Sequence, residues 1–344
     1  MGLIRILFLA DTHLGFDLPF RPRIQRRRRG PEFFANFKRA LQPAVIGRVD
    51  CVVHGGDLFY RSKVPPRLVT MAFEPLKQVA DQGTPVYLVT GNHERSAIRH
   101  RHLAEHPRIH IFDRPQTFLL HKGGFTLAIA GFPFVRHGIR KEFLHLYDQT
   151  GQRHVNADVQ VLCIHQAIDG ATVGPAGYMF RDTPEVIKVS EILAGFAAVL
   201  SDHIHRFQIL EKDLQGKALH TPVFYPGAIE RTSFVERNEK KGYLILEFES
   251  DGLKGGRLRQ WRFYELPTRP MIQLNLHPGD MDAAKLKSYL ESTIGELSQD
   301  GIVKLKIHGR ISQAAMAVLR AVSLRSLAPP TMNIDAAFQE YNFF

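Results

Sequence analysis

Ile4-Arg5-Ile6-Leu7-Phe8-Leu9-Ala10-Asp11-Thr12-His13 is the stretch whose reading decides the fold of this chain. An apolar run rich in Ile, Leu and Phe, broken only by Arg5, reads as a strand buried on both faces. Asp11 and His13 then fall just past its end, at the carboxyl edge of a sheet, where α/β proteins bind their ligands. Asp-x-His by itself is a weak signal. Its force comes from recurrence further along the chain.

Four more apolar runs end the same way. Val49 to His54 leads into Gly55-Gly56-Asp57, and Pro85 to Thr90 into Gly91-Asn92-His93-Glu94. Val159 to Ile164 leads into His165-Gln166, and Ala197 to Leu200 into Ser201-Asp202-His203-Ile204-His205. Five predicted strands thus deliver Asp, Asn or His at one end. Oxygen and nitrogen donors without a thiolate suit a pair of divalent ions such as manganese, iron or zinc.

A length of 344 residues allows one large domain and a smaller one, and an apolar fraction of 44% is ample for a core. No run approaches the ~18 apolar residues of a membrane span. The first apolar segment is too short, and too soon interrupted by charge, for a signal peptide, which points to the cytoplasm. Cys51 and Cys163 both lie in predicted buried strands and read as small core residues in a reducing compartment. A net charge of +11 favours a polyanionic partner, nucleic acid above all, over a neutral small substrate.

After His13 the loop Leu14 to Gly30 carries Arg26-Arg27-Arg28-Arg29. The run is either a solvated loop or, beside the ligand edge, a contact for a phosphate backbone. Pro31 opens a helix with Phe33, Phe34, Phe37, Leu41 and Val45 on a core-facing stripe. A second helix is predicted over Pro66 to Ala80, and the βαβ rhythm implies a mostly parallel sheet. Thr117 to Leu120 and Phe125 to Ala130 read as a hairpin. Thr183-Pro184-Glu185 reads as the start of a short helix. Beyond His205 the chain reads as strand: Thr221 to Tyr225, Gly242 to Glu249 and Gln260 to Leu266. The pattern predicts an α/β fold built as a two-sheet β-sandwich flanked by helices. Pro267-Thr268-Arg269-Pro270 is the expected boundary between a domain over 1–266 and a small α/β domain over 271–344. In the latter, strands at Met271 to Leu276 and Ile302 to Ile307 alternate with helices at Met281 to Leu297 and Ser312 to Leu324.

Asp11-x-His13, Gly56-Asp57, Gly91-Asn92-His93-Glu94, His165 and His203-x-His205, in this order, resemble the signature of the calcineurin-like metallophosphoesterases. Ala10 to Gly15, Gly56-Asp57-Leu58-Phe59, Ile164-His165-Gln166 and Phe224 to Arg231 are similar to blocks of the SbcD/Mre-type DNA double-strand-break repair nucleases. The resemblance implies the metallophosphoesterase fold with a small C-terminal capping and DNA-recognition domain. It also implies two divalent ions, manganese first and Fe2+, Zn2+ or Mg2+ as alternatives. One ion would be held by Asp11, His13, Asp57 and His205, the other by Asp57, Asn92, His165 and His203. Asp57 would bridge, since only a carboxylate has two oxygens to share. His93 resembles the family histidine that steadies the phosphoryl oxygen or protonates the leaving group.

Three positions depart from the family pattern. Tyr60 stands where His follows Asp-Leu-Phe, Glu94 where Asp follows Asn-His, and Asp202 where Gly precedes His-x-His. Glu94 is expected to orient His93. Asp202 is either a partner behind a ligating imidazole or a turn residue. The function implied is a metal-dependent DNA exonuclease or endonuclease working with an SbcC-like coiled-coil ATPase, with homodimerisation left open. Two other readings stand beside it: a phosphoesterase acting on nucleotides or phosphoproteins, and a catalytically weak DNA- or ATPase-binding adaptor. His54 and His121 are assigned no role.

Overall fold

The computed structural model describes residues 2–18, 27–94, 105–181, 183–192, 194–250 and 256–339. In spatial order, its first six-stranded sheet is β16 (Arg257–Glu265), β15 (Gly242–Glu249), β1 (Leu3–Leu9), β2 (Cys51–His54), β3 (Val86–Val89) and β4 (Ile109–Phe112). β1 to β4 pair in parallel, and β15 and β16 close the sheet antiparallel. The second sheet runs β13 (Gln208–Lys212), β14 (Ala218–Tyr225), β12 (Ala198–Ser201), β7 (Val159–Ile164), β6 (Phe125–Gly131) and β5 (Gln116–Lys122).

The period of two along each strand assigns every apolar side chain to a layer. Ile4, Ile6 and Phe8 point between the sheets, where they meet Val161, Cys163, Leu200, Phe224 and Leu246. Leu7 and Leu9 point the other way, under α1 (Gly30–Val45) and α2 (Pro66–Asp81), against Phe33, Phe37, Leu76 and Val79. On the far side Leu162, Ile164 and Val199 pack on Phe143 and Tyr147 of α3 (Ile139–Gln149). The result is helix, sheet, sheet, helix, the expected sandwich with flanking helices. Each fully buried Phe contributes about 2–3 kcal/mol to it.

Several elements differ from expectation. β5 and β6 form the expected hairpin, turned at Gly123-Gly124, whose φ values of 54° and 78° require residues free of Cβ strain. Thr183-Pro184-Glu185 starts no helix. Val186 N–H donates to the Thr183 carbonyl across a tight turn, because a proline φ suits position two of a turn as well as a helix start. The chain then enters β11 (Val186–Ile187), paired in parallel with β8 (Ala167–Ile168). β9 (Thr172–Val173) and β10 (Tyr178–Met179) form a small ribbon between these two strands in sequence. The sequence reading passes over α3, although Ile139, Phe143 and Tyr147 recur at i, i+4 and i+8.

The chain divides into two compact units. Residues 27–29, Thr232–Asn238 and 268–339 form the second, and the other described residues form the first. The second unit has a three-stranded parallel sheet, β17 (Met271–Leu276), β18 (Ile302–His308) and β19 (Asn333–Gln339). Its core comes from Leu286 and Leu290 of α4 (Ala283–Gly295), Val303, Leu305, Ile307 and Ile334. Where one helix was expected over 312–324 there are two, α5 (Gln313–Val318), capped by Ser312, and α6 (Ala321–Leu327). β19 was not anticipated. Cys51 and Cys163 are buried free thiols, and burial pushes both thiols up. No helix among the described residues is long and apolar enough to cross a membrane.

Candidate metal centre

The strand pairings bring the expected side chains to one edge of each sheet. Leu9 lies opposite His54, and Ser201 opposite Ile164, so the loops that follow β1 and β2, and β7 and β12, leave level with one another. The first two loops then run side by side: Asp11 N–H donates to the Gly56 carbonyl, His13 N–H to that of Asp57 and Leu14 N–H to that of Leu58. Asp11, His13, Asp57 and His203 have φ of 45°, 43°, 51° and 90°. A side chain other than glycine held there costs on the order of 1–3 kcal/mol, so the fold spends stability at four of the residues that carry candidate ligands.

These side chains converge. His13 Nε2 is 2.9 Å from His205 Nε2 and 3.6 Å from Asp11 Oδ1. Asp57 Oδ2 is 3.7 Å from both His93 Nε2 and His165 Nε2. Asn92 Oδ1 stands 2.9 Å from His165 Nε2 and 3.0 Å from His203 Nδ1. Three overlapping groups could each hold a cation: Asp11, His13 and His205; His13, Asp57 and His93; and Asp11, Asp57 and His165, with the donor atoms in each within 4.8 Å of one another. Asp11 supplies the test of fit. Its carboxylate is fully buried, and neither oxygen accepts a hydrogen bond among the described residues. Burial, then the charge of Asp202, holds it well above the usual carboxylate range. An anion so placed costs several kcal/mol unless a positive charge answers it. The imidazole and carboxylate donors around it suit divalent ions.

Residues 4–192, more than half of the chain, match the model of the family described as calcineurin-like phosphoesterase. The chain belongs to the calcineurin-like phosphoesterases. Among curated proteins it is similar to three described as DNA double-strand break repair protein Mre11. That of Haloferax volcanii is 31% identical over 73% of this chain and 51% of its own length. That of Archaeoglobus fulgidus is 25% identical over 94% of this chain and 74% of its own, and that of Aeropyrum pernix 25% identical over 80% and 64%. The chain spans about half the length of the first relative and between that and three quarters of the others.

In this phosphoesterase the candidate ligands are braced from behind. His165 Nδ1 faces the Gly55 carbonyl at 3.1 Å; a carbonyl can only accept, so Nδ1 carries the proton and Nε2 is left with its lone pair. By the same reasoning His93 Nδ1–H donates to the Tyr60 carbonyl at 2.6 Å. That anchor is backbone, so Tyr60 in place of histidine leaves it intact. The Tyr60 ring stands edge-on to His13 at 6.0 Å. Glu94 does not orient His93. Its buried carboxylate instead accepts from the backbone N–H groups of Asp57, Phe59 and Gly91, at 2.8–2.9 Å. The methylene by which Glu exceeds Asp carries the carboxylate to that turn. Burial, then the charge of Asp57, pushes Glu94 up to about 8. Asp202, also fully buried, lies 3.2 Å from His165 Nδ1.

Two bracing residues were missed from sequence. His54 Nδ1 accepts from Gly56 N–H, so its Nε2–H donates to Thr12 Oγ1, whose hydroxyl donates to the Leu58 carbonyl. Burial lowers His54 to about 3, which keeps it neutral. The buried Lys241 donates from Nζ to the His205 carbonyl at 2.8 Å and to Glu239 at 3.1 Å. Ala228 N–H meets the same carbonyl, and a Cβ on Gly227 would stand 2.7 Å from it, so the Tyr225-Pro226-Gly227 turn presses on the His203-x-His205 loop.

Arg26 lies outside the described residues. Arg27 pairs with Asp300 at 2.6 Å, Arg29 is buried, and both belong to the second unit. His106 pairs with Asp81, and His121 Nδ1 lies 3.0 Å from Thr126 Oγ1.

Proposed function

We propose that this chain is a two-metal phosphodiesterase that cleaves DNA, with manganese as its working ion. The convergence of Asp11, His13, Asp57, His165 and His205 into overlapping cation-binding groups carries this reading. Asp11, His13, Asp57 and His205 would hold one ion, and Asp57, Asn92, His165 and His203 the other. When bound, such a pair activates water and neutralises charge on the attacking and leaving oxygens of a phosphodiester. DNA as the substrate is supported by the net charge of +11 and by the name of the similar repair proteins.

The chain's own residues then divide the work. Asp57 N–H is fixed by Glu94 and the Asp57 carboxylate accepts from His93 N–H at 2.9 Å, so carboxylate and imidazole are positioned together. With Nδ1–H committed to the Tyr60 carbonyl, Nε2 of His93 is the nitrogen that exchanges protons with the substrate. It must first take one up, and as the imidazolium it gives that proton to the leaving oxygen and returns to the neutral ring. His93 is about one-third exposed, so a substrate can reach it. The neutral His54 and Thr12 hold the Asp11–His13 backbone against the Asp57 loop while the proton moves.

An SbcC-like coiled-coil ATPase is the partner this reading includes, and residues 271–339 are assigned the recognition of DNA. The decisive experiment is cleavage of single-stranded and duplex DNA, with and without manganese, by the wild type and by His93→Ala. Cleavage that requires manganese and is lost in the variant is expected. Turnover of nucleotides or phosphopeptides alone would move the substrate, and DNA binding without turnover would make the chain an adaptor.

A further inference from the structure

The His205 loop and the β9–β10 ribbon are gripped by two cations that share one carboxylate. Lys241, wholly buried, donates from Nζ to the His205 carbonyl at 2.8 Å and to Glu239 Oε2 at 3.1 Å. Arg206, the residue after His205, donates from Nε to the other oxygen, Oε1, at 3.2 Å. Its outer nitrogens reach the ribbon. Nη1 donates to Thr172 Oγ1 at 3.2 Å, and Nη2 to the Gly174 carbonyl, which also accepts from Gly177 N–H across the turn. Glu239 is itself held: its backbone carbonyl accepts from Arg231 Nε and Nη2 at 3.2 and 3.0 Å, and its side chain is only 10% exposed.

We propose that Glu239 is a positioning residue that couples the ribbon to the metal centre through Lys241 and Arg206, an inference that rests on the two-metal reading above. A lysine on a flexible stem holds a carbonyl in place only when its ammonium is fixed, and a buried ammonium is fixed by a carboxylate. Glu239 Oε2 therefore sets where Lys241 meets the His205 loop. Oε1 likewise orients the rigid guanidinium fork, and so its reach to Thr172 and Gly174. Without the carboxylate both cations lose their common anchor, and two like charges are left in an enclosed place. The ion served by His205 is the one that feels this, because Asn92 and His165 of the other set lie on loops that leave β3 and β7.

The test combines calorimetric titration of metal-depleted protein with Mn2+ and hydrogen exchange of the same metal-depleted protein at residues 172–179 and 203–206. The variants are Glu239→Gln, Lys241→Met, Arg206→Gln, His205→Ala and His165→Ala. Glu239→Gln, which keeps the shape and removes the charge, is expected to weaken by about 10- to 100-fold the binding step that His205→Ala abolishes. The step that His165→Ala abolishes should stay as in the wild type, and the ribbon should exchange about tenfold faster. Lys241→Met should reproduce the metal effect alone, and Arg206→Gln the ribbon effect alone. Should Glu239→Gln lose its circular dichroism, the double variant Glu239→Gln/Lys241→Met, which leaves no unanswered buried ammonium, is expected to show both effects in its place. Anything less than both effects would overturn the proposal, as would equal weakening of both Mn2+ steps, the mark of general loosening. A wild type that takes up no Mn2+ would overturn the two-metal reading instead, and exchange at 172–179 and 203–206 in Glu239→Gln would still decide whether this carboxylate joins the two loops.

Discussion

At the scale of single residues, Asp57 and His93 are neighbours with separable tasks. Asp57 belongs to two of the three cation-binding groups, so Asp57→Asn is expected to reduce manganese uptake and abolish cleavage together. His93→Gln should leave two ions bound, measured by titration, and lower turnover by about 10²-fold or more, the usual contribution of a general acid. Equal loss of metal in both variants would refute the division. His54 makes a different prediction. Its unfolded value is 6.5 and its folded value about 3, so the unfolded chain takes up a proton first as the pH falls. Stability is therefore full above about 6.5 and declines toward 3, by at most ~5 kcal/mol, because protonated Nδ1 can no longer accept from Gly56 N–H. Denaturant titrations at pH 7 and pH 5 should show this decline in the wild type and a shallower one in His54→Gln; equal slopes would remove His54 as the cause.

Among elements, the loops that leave β2 and β3 are locked by contact between backbone and ligand. A Cβ on Gly91 would collide with Asp57 Oδ1 and with its backbone nitrogen. Gly91→Ala is thus expected to displace Asp57 and to weaken manganese binding at least tenfold. Gly124→Ala, at the far turn of the β5–β6 hairpin, has open space around it but a φ of 78°. It should cost about 1–2 kcal/mol of stability, read by thermal melting, and leave metal binding alone. The same elements mark how far sequence could lead. The burial of β1 on both faces was legible in its apolar run, and the helical stripe of α1 in Phe33 and Phe37. The turn at Pro184 was not legible, because one φ serves a helix start and a β-turn alike. α5 and α6 occupy a stretch whose apolar spacing is compatible with one continuous helix.

For the whole molecule, the centre joins loops from both sheets of the first unit. Metal should therefore tie the two sheets together at that edge. Hydrogen exchange is expected to slow at residues 11–14, 56–59, 91–94 and 203–205 on adding manganese, while amides of β17, β18 and β19 exchange unchanged. Slowing spread evenly over both units would contradict the assignment of the ions to these loops. The net charge of +11 predicts in addition that DNA affinity falls steeply with salt, which filter binding at 50 and 200 mM would measure.

What the sequence by itself determined was local: five apolar runs, each followed at once by oxygen or nitrogen donors, and the family order of those donors. Ligand type and strand end are properties of neighbouring residues, so they survive without coordinates. Only the tertiary structure decided that His13 meets His205 across 192 positions, that Glu94 serves backbone amides, and that Lys241 and His54 brace the loops. Each of these depends on which buried donor finds an acceptor once the layers close, a choice made by packing and by the cost of leaving a polar group unpaired.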